Sequence, residues 1–216
     1  MSIPKRIILT GQSIYLRQPS HVDCLKQFSA IHPDWEVVFY GAKDAREFMA
    51  ERWPAMLAVY EDFEWIEHRN TLVALMVALE LGGVYFHPSM WLEHGMDELL
   101  ENPLVLGQAG EMMAGEFADT YGEDARDGEH RRTISLDGFA CEPGHWFIRK
   151  ALENFISVAQ EQEALRTGLD SGRQEPTFFT MTYAMESGRF GTIEKVLPVP
   201  ESTMLGAFGK YASRIA

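Results

Sequence analysis

The sequence is short of cysteine, of basic residues and of long apolar runs, and each shortage bears on what the protein does. Cys24 and Cys141 are the only cysteines in 216 residues, and no Cys-x-x-Cys pair or Cys/His cluster marks a structural zinc site. A reducing, cytoplasmic setting is the expectation. Lys and Arg number 19 against 32 Asp and Glu, a formal net charge of -13. That balance argues against nucleic acid or a polybasic membrane patch, since both need clustered cations to neutralise phosphates. A phosphate-bearing small ligand stays open, because a few local donors hold a diphosphate whatever the total charge. No uncharged apolar run is long enough to span a bilayer, and Met1 to Arg6 lacks the apolar stretch of a secretory signal.

What is present is 46% hydrophobic residues, enough for one domain over 1–216 with a sizeable core. Ile3 to Leu9 reads as a buried strand ending in a turn at Thr10-Gly11, and such strand ends hold ligands in open α/β sheets. His21 to Ala30 has helical spacing, with Ser20 as its N-cap, and Pro33 forces a turn before a second strand, Glu36 to Tyr40. Helices are expected over Ala42 to Ala50 and Pro54 to Tyr60. Arg69 to Leu81 carries apolar residues on every face, so it reads as a helix buried all round. Gly82-Gly83 ends it, and Val84-Tyr85-Phe86 follows as a short central strand that emerges at His87-Pro88-Ser89.

Leu104 to Gly107 reads as a further strand, Ala118 to Arg132 as an exposed loop, and Trp146 to Ala164 as a long helix. Arg166 to Pro176 reads as loop, Thr177 to Ala184 as β-like, and Ile193 to Leu205 as short strands. No repeat or linker divides the chain. Strands alternating with helices predict an α/β fold with a mixed sheet.

Ordered segments resemble the glycosyltransferases of family 32, the group of α-1,6-mannosyltransferases and capsular sugar transferases. Ile3-Pro4-Lys5-Arg6-Ile7 is similar to the family's opening strand. His32-Pro33-Asp34-Trp35, the strand to Tyr40 and then Asp44 resemble "Asn-Pro-Asp-Trp, strand, Trp-x-Asp-x-Asp". Leu79 to Phe86 is similar to the helix, Gly-Gly-Ile-Tyr turn and strand that lead into the family's Asp-x-Asp. Pro143-Gly144-His145 and Glu175-Pro176-Thr177 fall where the family has Pro-Gly-His-Pro and Thr-Gly-Pro stretches.

The resemblance implies a GT-A fold, with a Rossmann-like sheet flanked by helices, a nucleotide-sugar donor, and a glycan or protein hydroxyl as acceptor. It also implies a magnesium or manganese ion on Asp-x-Asp that neutralises the leaving diphosphate. Here His87 and Ser89 occupy the two Asp positions. Asn70-Thr71 stands for the family's Ser-Asp, Ala74 for its Arg, and Ile8 for a His. Polar positions have changed together while the framework is kept, which fits an altered or abandoned site.

Each candidate has two readings. His87 is a metal or diphosphate ligand, or a strand-end His with a local hydrogen bond. Ser89 donates to a phosphate, or is surface. Thr10 and Gly11 frame the nucleotide, or make a plain turn. Asn70 replaces the missing Asp as a sugar ligand, or is a helix-terminal residue. Arg69 offsets a phosphate, or is solvated. Asp137 activates the acceptor or binds metal, or sits in a turn. His145 reaches the site, or opens the helix at Trp146. The Trp residues are sugar platforms or core. The protein as a whole is then a transferase with an atypical or metal-independent site, or an inactive homologue that binds a protein partner as a scaffold. An unrelated α/β binding protein would make the ordered matches coincidence.

Overall fold

The structure is a computed structural model that describes residues 2–11, 19–63, 66–87, 90–92, 94–113, 130–161 and 212–214. Its main sheet has the order β2-β1-β3-β6-β5. Strands β1 (Arg6–Thr10), β2 (Glu36–Tyr40) and β3 (Gly83–Phe86) are mutually parallel, and β6 (His130–Cys141) runs antiparallel to β3 and to β5 (Leu104–Met113). This is the mixed sheet expected, with β3 at its centre. The sheet is flanked by α1 (Pro19–Ile31), α2 (Ala42–Arg52), α3 (Met56–Asp62), α4 (Ile66–Leu81) and α5 (Trp146–Glu161). A small second sheet pairs β4 (Met90–Leu92) with β7 (Ala212–Arg214).

Period-two alternation sorts the strand side chains between two cores. Ile8 and Tyr85 face α4 and α5, while Ile7, Leu9, Val84 and Phe86 face α1. Helix α4 is apolar all round because it is covered all round: no residue from Leu72 to Leu79 exposes more than 3%. Ala74 and Ile8 are packing residues within that core.

Glycine is required at the turn into β3. Gly82 and Gly83 have φ of 63° and 124°, a region closed to most side chains. A Cβ on Gly82 would stand 2.6 Å from Pro143, and one on Gly83 would stand 2.8 Å from the Arg6 carbonyl oxygen. Arg6 closes the same corner, its Nε donating to Glu36 Oε2 at 2.6 Å and its guanidinium to the Leu81 carbonyl at 2.9 Å, so it satisfies the end of α4.

The His32-Pro33-Asp34-Trp35 segment lies at the amino-terminal edge of the sheet, where β2 begins. His32 and Trp35 stack at 4.1 Å between centroids, and Lys5 reaches Asp34 at 2.5 Å. Asp44, the acid that follows β2, accepts from the Gly41 N–H at 3.0 Å and so caps α2.

Several expectations need correction. Residues 130–132, expected as the end of a loop over Ala118 to Arg132, belong to β6, the rest of that loop lies outside the described residues, and β5 runs on to Met113 rather than stopping at Gly107. Asp137 is in strand, not turn. Helix α1 begins at Pro19, so Ser20 is inside it; proline suits a first helical turn, whose N–H has no helical partner to lose. Trp35 is buried in the α1-side core, and Trp53 and Trp146 pack against the other. The segments expected over Arg166 to Leu205, with Glu175-Pro176-Thr177, lie outside the described residues.

Candidate functional site

Parallel strands that end together leave a row of chain termini at one edge of the sheet, and the connections leaving that edge frame a crevice. Here the register aligns Thr10 with Tyr40 and Leu9 with Phe86, so β1, β2 and β3 end side by side. Thr10 is 1% exposed, and its Oγ1 lies 3.3 Å from the Tyr85 hydroxyl, the diagonal neighbour on the same face. Gly11 extends the ladder by one bond, its N–H donating to the Tyr40 carbonyl at 3.2 Å. His87 is half-buried as the chain leaves β3, and its carbonyl accepts from the Met90 N–H at 2.9 Å. Ser89 lies outside the described residues.

The turn at Gly82 makes α4 run back along β3. From Leu81 to Asn70 the helix climbs about 17 Å, at 1.5 Å per residue, against about 13 Å for the four residues of β3. Asn70 and Thr71, each 8% exposed, lie in the second turn of α4 and are thus returned toward the carboxyl edge, with the start of the helix at Ile66 beyond them. Opposite, Phe86 pairs with Gly138, so Asp137 is the next residue of β6 beside the exit of β3. The β5–β6 register also slips there, from Leu106–Phe139 to Gly107–Ser135, leaving Asp137 in a bulge. Bulges re-aim backbone, and this one falls at the edge where His87 emerges.

The fold therefore gathers Thr10, Gly11, Asn70, His87 and Asp137 at one edge. It does not bring Arg69 to them as a spare cation. Its Nε donates to the Phe63 carbonyl at 2.5 Å and its NH2 group to the Glu61 carbonyl at 3.2 Å, over the Tyr60 ring at 5.4 Å. Arg69 thus finishes the end of α3. Nor does it bring His145, which lies beyond Cys141 and so at the amino-terminal edge, one length of β3 from His87. His145 is 6% exposed, and its Nδ1 accepts from the Phe147 N–H at 3.2 Å, so it opens α5 as an N-cap.

Burial lowers the His145 pKa, and Glu142 opposes this only in part. A depressed folded-state value means that the unfolded chain takes up the proton first. The stability this residue contributes is full above the unfolded value of about 6.5 and is lost as pH falls below it. We expect His145→Asn, which keeps a cap but cannot titrate, to flatten the fall of the urea midpoint between pH 7 and 5.5; an unchanged slope would refute the assignment. His145→Ala is expected to lose about 1 kcal/mol at pH 7 through the cap alone.

The residue missed in the sequence is Tyr85. Its place in an apolar strand reads as core, yet it carries the hydroxyl that meets Thr10, and the clue was a Tyr where Phe would fill the same volume. The described donors do not fit a hard dication, which takes several oxygen ligands. No group of three His, Cys, Asp or Glu gathers among the described residues, and His87 offers a single imidazole.

No protein-family model matches the chain. It is 28% identical over 102 residues to inositol phosphoceramide mannosyltransferase 3 of Schizosaccharomyces pombe, a match that covers 47% of this chain and 28% of that protein. The chain thus spans just over a quarter of that relative. Among solved structures, PaToxG glycosyltransferase superposes with a TM-score of 0.52 at 16% identity, over 87% of this chain and 71% of that one. A galactosyltransferase solved with donor and acceptor sugar analogues gives a TM-score of 0.48 at 15% identity, over 82% and 69% of the two chains. No helix of the described residues is long and apolar enough to cross a membrane. The chain thus has the GT-A fold of the glycosyltransferase on which it superposes, and over 102 residues its sequence is similar to that of a mannosyltransferase.

Proposed function

We propose that this protein transfers a sugar from a nucleotide-sugar donor to a hydroxyl of a glycan or protein, as a family 32-like enzyme whose site has no Asp-x-Asp. The observation that carries the reading is the gathering of Thr10, Gly11, Asn70, His87 and Asp137 where three parallel strands end. In this reading the diphosphate lies against that edge, with His87 and the first turns of α4 as its donors. Asn70 offers both an N–H donor and a carbonyl acceptor to sugar or ribose hydroxyls. Asp137 takes the acceptor proton as the bond between the sugar and the diphosphate breaks.

The test is a thermal-shift screen of nucleoside diphosphates and their sugars, with and without manganese, followed by assay of donor hydrolysis. A ligand of the folded state raises the melting temperature. We expect at least one nucleotide to do so without manganese and its sugar to be released or transferred. No shift and no turnover with any donor would overturn the reading.

A second reading, an inactive homologue that serves a protein partner, is favoured by Arg69. The nearest candidate cation already holds two carbonyls. It predicts nucleotide shifts without turnover, or neither.

A further inference from the structure

The backbone that follows His87 is tied to α1 by a set of side-chain bonds. Cys24 and Gln27 lie three apart on one side of α1, and His32 lies just past its end. Each bonds to backbone there: Cys24 Sγ donates to the Met90 carbonyl at 2.6 Å, Gln27 Oε1 accepts from the Leu92 N–H at 3.1 Å, and His32 Nε2 accepts from the Met96 N–H at 3.0 Å. Between them Phe28 stacks on Phe86 at 5.9 Å, next to His87. Met90 is held from both sides, its N–H by the His87 carbonyl and its carbonyl by Cys24. Short strands such as β4 have few ladder bonds of their own, so these side chains supply much of what fixes residues 90–96.

The three rungs differ in chemistry. Burial pushes the Cys24 thiol up to about 12, so it stays a donor, and the Gln27 amide does not titrate. His32 accepts at Nε2 and must therefore be neutral, with its proton on Nδ1, 3.9 Å from Asp97 Oδ2. A second proton would set two donors, Nε2–H and the Met96 N–H, against each other. The charged groups facing the ring are Asp97, Asp34 and Lys5; burial, the largest influence, disfavours the cation and Lys5 acts with it, and together they outweigh the two acids, so the ring is neutral at pH 7. Lys5 also pairs with both acids, at 2.5 Å and 3.5 Å, which blunts their pull.

We propose that α1 and the residue after it are a positioning rail for the backbone at Met90, Leu92 and Met96, just past the exit of β3, and that the His32 rung opens on acidification while the Cys24 and Gln27 rungs hold. Its value to catalysis rests on the donor site proposed above, but the rail does not, and its test reads no activity. In the full chain, amide hydrogen exchange is followed by NMR at pH 7.5 and pH 5, corrected for the intrinsic pH dependence. The Met96 amide is expected to lose protection by about tenfold or more while the Leu92 amide, on the neighbouring rung, does not. His32→Gln, which presents a non-titrating acceptor, should keep Met96 protected at both pH values. The proposal fails if Met96 and Leu92 lose protection together, if neither changes, or if the folded Gln variant loses Met96 protection as the wild type does. Because the wild type carries its own control in Leu92, the test decides even where the variant does not fold.

Discussion

Gly83→Ala is expected to cost about 3–5 kcal/mol of stability and to lower the melting temperature by roughly 10 °C. Two costs add there. The φ of 124° strains any side chain, and the new Cβ would stand 2.8 Å from the Arg6 carbonyl oxygen, closer than Cβ atoms approach anything. Strand β1 would have to move away from β3, and with it the register that aligns Thr10 with the exit of β3. Gly144 separates the two costs, since its φ is 72° but no atom lies within 4 Å of a Cβ placed on it. Gly144→Ala should therefore lose only the backbone part, about 1–2 kcal/mol. Urea denaturation of both variants checks this, and equal losses would show that the contact with Arg6 is relieved without cost.

The second large effect is a gain. Placing carboxylates with His87→Asp and Ser89→Asp is expected to make nucleoside diphosphate binding depend on manganese. Two hard oxygens at the end of β3 give a dication the ligands that one imidazole does not, and the ion in turn draws the diphosphate. At a nucleotide concentration one hundred times Kd, binding adds about 2.7 kcal/mol, or roughly 5–10 °C in melting temperature for a chain of this size. Without manganese the paired acids should weaken binding below that of the wild type. A folded double variant with no manganese-dependent shift would show that this edge of the sheet is not the donor site.

The parts of the fold that could be read in the sequence are those whose pattern is local. Glu36 to Tyr40 is flanked by Pro33 and Gly41, and β2 has those bounds; α4 is apolar on every face, and it is buried. Of the β5–β6 pair only Leu104 to Gly107 was read as strand, and β6 was missed because its signals are mixed. Thr133 to Asp137 alternates polar with apolar at Ile134 and Leu136, which is strand-like, but Arg131 and Arg132 before it and Gly138 after it mask the run. Strands β4 and β7 are three residues each, and their pairing joins positions more than a hundred residues apart, which no window of sequence reports.

Of the candidate positions, Thr10, Gly11 and His87 stand where a strand ends, and such ends carry turn signals that a sequence shows. Asn70, expected at a helix start, lies inside α4, which begins at Ile66. Asp137 could be named but not placed, since its position depends on β6 joining β3. Arg69 and His145 were chemically apt and committed elsewhere, one to the end of α3 and the other to the start of α5. Charge and residue type do not reveal such commitments, because the carbonyl or N–H that claims the side chain belongs to the fold.

The strand order β2-β1-β3-β6-β5 also fixes a sequence of assembly. The first 87 residues contain the whole parallel half of the sheet together with Thr10, Gly11, Asn70 and His87, so a growing chain can pair these strands among themselves. Strand β6 can cover the open side of β3 only after residue 141 has been synthesised, and it brings Asp137 with it. One wall of the crevice is thus laid down well before the other, and β3 spends that interval with a bare edge.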